Sequence, residues 1–380
     1  MLLIKNAKIY TGVGQFVEGH FQVIDGKFGD ISTDHNLIHY DRIIDVKGKI
    51  ITPGLIDVHT HLGINQEGVG HAGHDFNETS SESTPQVNAI DGINMRDKGF
   101  EDARRSGVTT VQIMPGSANV IGGEMVVVKT YGTIVDDMIV RNPSGLKAAT
   151  GENPKTIHGG NNRMPKTRMG IAARLREKLI EAQEYSRQRE EGKCGLNLGL
   201  ENITKVLRRE MPLRVHAHRA DDIVTVLRIQ KEFDLDVTIE HCTEGHLISD
   251  FIAQRPVRVS VGPTMTTRPK IELAEQGWVT VTKLNDAGIP ISLTTDHPVV
   301  SIEHLMTSAI LAVKNGLPEE RALEAITLNA AKHLGIDDRV GSIESGKDAD
   351  FVIWNGDPFD LRSTIETTFI DGKPVYQRMS

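Results

Sequence analysis

Eight short apolar, β-branched runs recur through the middle of the chain, and four of them carry histidine or aspartate at or just past their ends. The runs cover residues 55–59, 108–114, 125–129, 145–149, 213–217, 237–241, 257–261 and 291–295. Helical patterns lie between several of them. Residues 170–191 carry Ile171, Leu175, Leu179 and Ala182 at helical spacing, with charges on the other positions. Residues 221–233, 302–313 and 318–334 read likewise, the last with Pro318 at its start. Alternating strands and helices predict a parallel sheet, and eight units predict its closure into a (β/α)8 TIM barrel.

The run ends are where such a barrel keeps its chemistry. The first closes as Pro53-Gly-Leu-Ile-Asp-Val-His-Thr-His61. Side chains alternate along a strand, so His59 and His61 face the same way and suit one divalent metal ion. Later runs supply His216 and His218, then His241, then Asp296. A single histidine is ordinarily a satisfied core or surface residue. Imidazoles and a carboxylate repeated at the carboxyl ends of separate strands instead predict a metal site at the barrel's C-terminal face.

Both ends of the chain have another texture. Short alternating strands fill residues 2–9, 21–24, 31–38 and 43–46, and then 350–354, 365–370 and 374–376, separated by turn residues such as Asp25-Gly26. Residues 1–52 and 342–380 are therefore expected to pair into a small β-sandwich domain, flanking a barrel domain of residues 53–341. Two long loops, 62–98 and 150–169, follow the first and fourth barrel strands and should shape the mouth of the site. His71, His74, Asp75 and Glu78 in the first are open to substrate contact. Arg163, Lys166 and Arg168 in the second could meet a substrate carboxylate. The glycine-rich stretch 116–123 lacks a phosphate-loop ending and reads as a tight turn.

Composition removes several function classes. The net charge is −8 over 380 residues and aromatics are 4%, so neither a basic face nor a stacking platform for nucleic acid is expected. No apolar segment is long enough to span a bilayer, and the N-terminus lacks a signal peptide's apolar core. Two cysteines, Cys194 and Cys242, are too few for a disulfide scaffold. A soluble cytoplasmic protein without membrane partners is expected. Cys242, following His241, reads as a small packing residue.

Taken together, these motifs resemble the amidohydrolase superfamily over almost the whole chain. The His59–His61 motif is similar to its first-strand metal motif, His216 and His241 to its fifth- and sixth-strand ligands, and Asp296 to its eighth-strand aspartate. The tail Gly341-Ser-Ile-Glu-Ser-Gly-Lys-Asp-Ala-Asp350 is similar to its returning β segment. The nearest likeness is to the imidazolonepropionase-like branch, which includes prolidase-like dipeptidases. The resemblance implies one or two Zn2+ ions, with Fe, Mn or Co also compatible with a His/Asp set. It implies that metal activates a water, and that Asp296 moves the proton to the leaving nitrogen. Many relatives bridge two metals with a carboxylated lysine on strand four, which Lys147 matches; Glu124 is a rival bridge and Lys129 a neighbouring lysine. His216 is favoured over His218 as ligand, leaving His218 to bind substrate or to support a ligand from behind. Deaminases of the superfamily usually carry an acid three residues after this histidine, as imidazolonepropionase proper does, where this chain has Arg219; His218-Arg-Ala-Asp221 keeps an echo of that spacing. The expected substrate is a small molecule with an amide-type C–N bond: a dipeptide, an N-acyl amino acid or a cyclic amide. Deamination of a heterocycle and a non-catalytic barrel are the alternatives. Barrels of this kind often pair, which leaves room for a homo-oligomer.

Overall fold

A computed structural model describes residues 1–14, 16–33, 40–161 and 163–379. Alternation in the N-terminal segment builds β1 (Leu2–Tyr10), β2 (Phe16–Ile24), β3 (Lys27–Ser32), β4 (Arg42–Asp45) and β5 (Ile50–Pro53). The strand expected over 31–38 runs into residues 34–39, which lie outside the described residues.

The barrel strands follow at once. They are β6 (Leu55–Thr60), β7 (Val108–Ile113), β8 (Ile121–Lys129), β9 (Ile139–Ala149), β10 (Leu213–Ala217), β11 (Val237–His241), β12 (Arg258–Val261) and β13 (Ile291–Leu293). They hydrogen-bond in sequence order, β6 to β13. The ring is nearly closed: Thr60 bridges His297, and the Thr294 hydroxyl donates to the His59 carbonyl at 2.9 Å. Strands β6 to β8 and β10 to β11 are buried along their whole length, as strands covered on both faces must be.

One expectation fails. The sheet is mixed rather than parallel, because β8 runs antiparallel to both β7 and β9. The links over residues 114–120 and 130–138 carry no α-helix. They are too short for a parallel crossover, which needs about a dozen residues or more.

Helices cover the barrel where periodicity places them. The helix Arg168–Glu190 buries Ile171, Leu175, Leu179, Ala182 and Tyr185, and the Thr167 hydroxyl caps it by accepting the Gly170 N–H. The single helix expected over 318–334 divides into Glu319–Ala325 and Leu328–Leu334. Its break lies at Ile326, whose carbonyl accepts the Ile56 N–H of β6 at 2.8 Å, and at Thr327, whose φ of −135° leaves the helical region. A bond to the barrel wall replaces a turn of helix. Among the described residues no helix is long and apolar enough to cross a membrane.

The C-terminal strands β14 (Phe351–Trp354), β15 (Ile365–Ile370) and β16 (Lys373–Gln377) join the N-terminal ones in a single sheet, ordered β16-β15-β14-β5-β1-β2-β3, with β4 beside β1. Its own core gathers Ile4, Ile9, Phe21, Phe28, Ile51, Phe351 and Phe369. The rings of Phe28 on β3 and Phe351 on β14 are 6.0 Å apart although β5, β1 and β2 lie between their strands, so the sheet curls over on itself. Buried Lys129 of β8 ties the barrel to this sheet through Asp350 and, at 3.0 Å, Asp348.

Candidate metal centre

Alternation along β6 turns Asp57, His59 and His61 into the barrel. Asp57 lies deepest and accepts from the hydroxyls of Thr294 and Thr295, at 2.5 and 2.6 Å, and from the Thr295 N–H at 3.1 Å. Burial pushes its carboxyl up to about 6, against those bonds. The clamp fixes the end of β13 against β6 and so sets the next residue, Asp296, whose backbone is left-handed at φ 53°. His241 and Cys242, at the end of β11, share that uncommon region at φ 72° and 48°.

Two trios of ligand-type side chains result, His59 with His61 and Asp296, and His216 with His218 and His241. Within each, the ligand atoms lie within 4.8 Å of one another. Asp296 Oδ1 is 3.4 Å from His59 Nε2 and 3.2 Å from His61 Nε2. The rings of His216, His218 and His241 are 4.5 to 4.6 Å apart. The trios adjoin, since the His59 and His241 rings are also 4.5 Å apart. Lys147 on β9, fully buried, brings its Nζ to 3.3 Å from His59 Nε2 and 3.1 Å from Met114 Sδ.

The outer ring nitrogens are spoken for. His61 Nδ1–H donates to the Met114 carbonyl and His241 Nδ1–H to the Gly262 carbonyl, each at 2.7 Å. His218 Nδ1 meets the Thr243 hydroxyl at 2.7 Å. A carbonyl only accepts, so in His61 and His241 the proton sits on Nδ1 and the Nε2 lone pair faces the cavity. Burial, with Lys147 second, drives His59 down to about 3, and burial holds His216 and His218 well below the usual imidazole range. All three are neutral and able to bind metal. His59 Nδ1 is backed at 3.4 Å by Glu240, a buried carboxylate that also accepts from Ser260, Thr238 and, at 3.1 Å, His333. Carboxylate or carbonyl support behind a ligating imidazole is the usual outer layer of a metal site.

What the trios lack is a positive charge. The His61 lone pair and Asp296 Oδ1 are both acceptors yet face each other at 3.2 Å. Asp296 Oδ1 and His216 Nε2 are buried with no hydrogen-bond partner. Orphaned acceptors pointing at a shared space suit a divalent cation with nitrogen and oxygen ligands.

Every site residue expected from the sequence lies in this cluster: His59, His61, Lys147, His216, His218, His241 and Asp296. The sequence sets His218 aside for substrate, whereas the structure gives it a place in the second trio. Glu124 is engaged elsewhere, with Lys205 at 2.8 Å and Asn88 at 3.1 Å. Arg168 pairs with Asp222, and Arg163 donates to the Ser80 carbonyl, so both cations brace loops. His71 and His74 are exposed, 5.5 Å apart, and connect through Phe76 to the His61 ring. Cys242 is a core residue; burial pushes its thiol up to about 12. The glycine-rich stretch makes room for the lysine: a Cβ at Gly122 would lie 3.1 Å from Lys147 Cβ. Sequence reasoning passes over Asp57 and Glu240, although each is an inward-facing charge beside a ligand histidine, and over Glu272 in a loop, for which spacing carries no signal.

Comparison with known proteins agrees with this geometry. Residues 161–375 match the amidohydrolase family model. The amidohydrolase tasK of Hapsidospora irregularis is 28% identical over 87% of this chain, which spans only 37% of that longer protein. An imidazolonepropionase of Thermoplasma volcanium is 23% identical over 99% of this chain and 92% of its own length. The crystal structure of an amidohydrolase from Thermotoga maritima MSB8 is 42% identical and superposes over the whole of both chains with a TM-score of 0.96. With its ligand trios at a barrel mouth and its matching sequence, the chain belongs to the amidohydrolase family, metal-dependent enzymes that hydrolyse carbon–nitrogen bonds.

Proposed function

We propose that the enzyme hydrolyses an amide-type C–N bond in a small molecule, a dipeptide, an N-acyl amino acid or a cyclic amide, at a two-metal centre. His59, His61 and Asp296 hold one ion and His216 and His241 the other. Zinc suits the nitrogen-rich set. Bound there, it would make water acidic enough to ionise near neutrality and would polarise the scissile carbonyl. The observation that carries this reading is the pair of adjoining trios with orphaned acceptors, reached by a lysine that is wholly buried.

The chain's own groups divide the remaining work. Asp296 is less buried than the histidines beneath it, with 15% of its side chain exposed. Burial alone would raise its carboxyl, yet the net shift is below the usual range, so it is a carboxylate at neutral pH. It can take a proton at Oδ2 and return it to the leaving nitrogen. Lys147 is pushed down to about 8 by burial, against the pull of Glu240 and Asp296. Part of it is then an uncharged amine near neutral pH, the form that adds to carbon dioxide, and a carboxylated Lys147 would bridge both trios. Glu124, bonded to Lys205, is the weaker candidate for that bridge.

We also read the chain as two domains, the barrel over 53–341 and a composite of 1–52 and 342–380. The curl that brings Phe28 to Phe351 supports a small β-sandwich for the second. Deamination is less well supported, because Arg219 stands where an acid would serve and pairs instead with Asp221 at 2.9 Å.

The test is a substrate screen of the zinc-loaded enzyme with dipeptides, N-acyl amino acids and cyclic amides, scored for new amine, new carboxylate and ammonia. A new amine and carboxylate without ammonia is expected. Ammonia released from a heterocycle, with no activity on amides, would replace hydrolysis by deamination.

A further inference from the structure

Glu272 is a carboxylate that the mechanism above leaves unused. It lies in the turn Ile271–Leu273, in the loop after β12, and is 1% exposed. Its Oε2 accepts the Glu152 N–H at 2.8 Å. That seat depends on Gly151, whose φ is +82° and where a Cβ would come within 2.4 Å of Oε2. Held from behind, the carboxylate turns its Oε1 towards the second trio, 3.9 Å from His216 Nε2 and 4.0 Å from His218 Nε2.

Those separations are too long for hydrogen bonds. They are somewhat wider than the about 3.3 Å between two ligands that each sit about 2 Å from a tetrahedral ion, so Oε1 shares an ion with both imidazoles after closing by about half an ångström. The nearest positive charge is Lys270 Nζ, half-buried and 3.5 Å from Oε1, a long contact for a carboxylate withdrawn from water. His216 Nε2 is buried and unpartnered, and His218 has its other nitrogen committed to Thr243. Three neutral imidazoles bring no charge to a divalent ion, and one carboxylate offsets half of it.

We propose that Glu272 and His218, with His216 and His241, form a three-histidine, one-carboxylate site for the second metal ion, complete without modification of Lys147. This rests on reading the barrel mouth as a metal centre. It extends that centre to a loop and reassigns His218 from substrate to metal. A carboxylated Lys147 would then join an ion already held, rather than be needed to hold it.

The test is zinc binding by the apoprotein, titrated against a chromophoric chelator in bicarbonate-depleted buffer. Wild type, Glu272→Gln and His218→Asn are compared, with the visible spectrum of the cobalt-loaded forms as a second readout. Gln keeps the shape and can still accept from Glu152, and equal unfolding temperatures of the apoproteins verify that the fold survives. Two ions are expected for the wild type. Each variant should bind one of them at least about 10-fold more weakly, leave the other within about threefold, and change one cobalt environment. Binding by Glu272→Gln indistinguishable from wild type, or equal weakening of both ions, would overturn the assignment. A wild-type chain that takes up no zinc would instead overturn the metal centre itself, and this ligand set with it.

Discussion

The two duties proposed for Asp296 can be separated by substitution. Asparagine keeps an oxygen for metal but cannot shuttle a proton. Asp296→Asn should retain most bound zinc while turnover falls by about 10²–10⁴, the usual worth of a positioned acid–base group. Metal analysis and a steady-state assay on one preparation check this, and a near-normal rate would remove Asp296 from proton transfer. Behind the ligands, Glu240 orients His59. Glu240→Gln should weaken one zinc ion by about 10–100-fold, read by chelator competition, with little change in the other. The sequence exposes the ligands more readily than their supports. His59 and His61 stand at a run end, where alternation aims them together, while His241 and Asp296 stand at run ends and reach the same space through left-handed backbone. Glu240 has the same alternation but reads as an ordinary strand charge until His333 and Ser260 are seen around it. Glu272 is invisible in sequence because a loop, not a periodic element, delivers it.

At the level of elements, strand ends do the positioning. The Asp57 clamp converts the end of β13 into a fixed platform for Asp296. Thr294→Val removes the hydroxyl that bonds both Asp57 and the His59 carbonyl. It should cost about 1–3 kcal/mol in urea unfolding, because a buried carboxylate loses a donor, and zinc affinity should fall with it. Unchanged stability would mean the clamp is incidental. Strands β10 and β11 match their sequence expectation residue for residue, since a short apolar run with His at or next to its end leaves few alternatives. The direction of β8 was not legible in the same way. Periodicity shows that a strand exists but not which way it runs; that is decided by the length of the links on either side. The divided helix at Ile326 is likewise a tertiary effect, a carbonyl taken by β6.

Across the whole molecule, the sheet of the two termini and the barrel meet at a buried charge. Lys129 faces Asp348, Asp350 and, at 3.6 Å, Asp371. Lys129→Met leaves those carboxylates without their buried cation and should lower stability by about 3–5 kcal/mol in denaturant unfolding. A loss below about 1 kcal/mol would show that the two parts hold together by apolar packing alone. Metal should act on the same equilibrium. Zinc bound only by the folded chain adds about 2.7 kcal/mol at a free concentration 100 times its dissociation constant, so unfolding temperature should rise with zinc and fall with chelator.

The most direct test of the central claim is the metal content of the chain, measured by elemental analysis after equilibration with excess zinc and removal of free ions. Two neighbouring trios, together five imidazoles and one carboxylate, predict two ions per chain, with His61→Asn losing one and His241→Asn the other. A folded chain that emerges without bound metal would contradict the account.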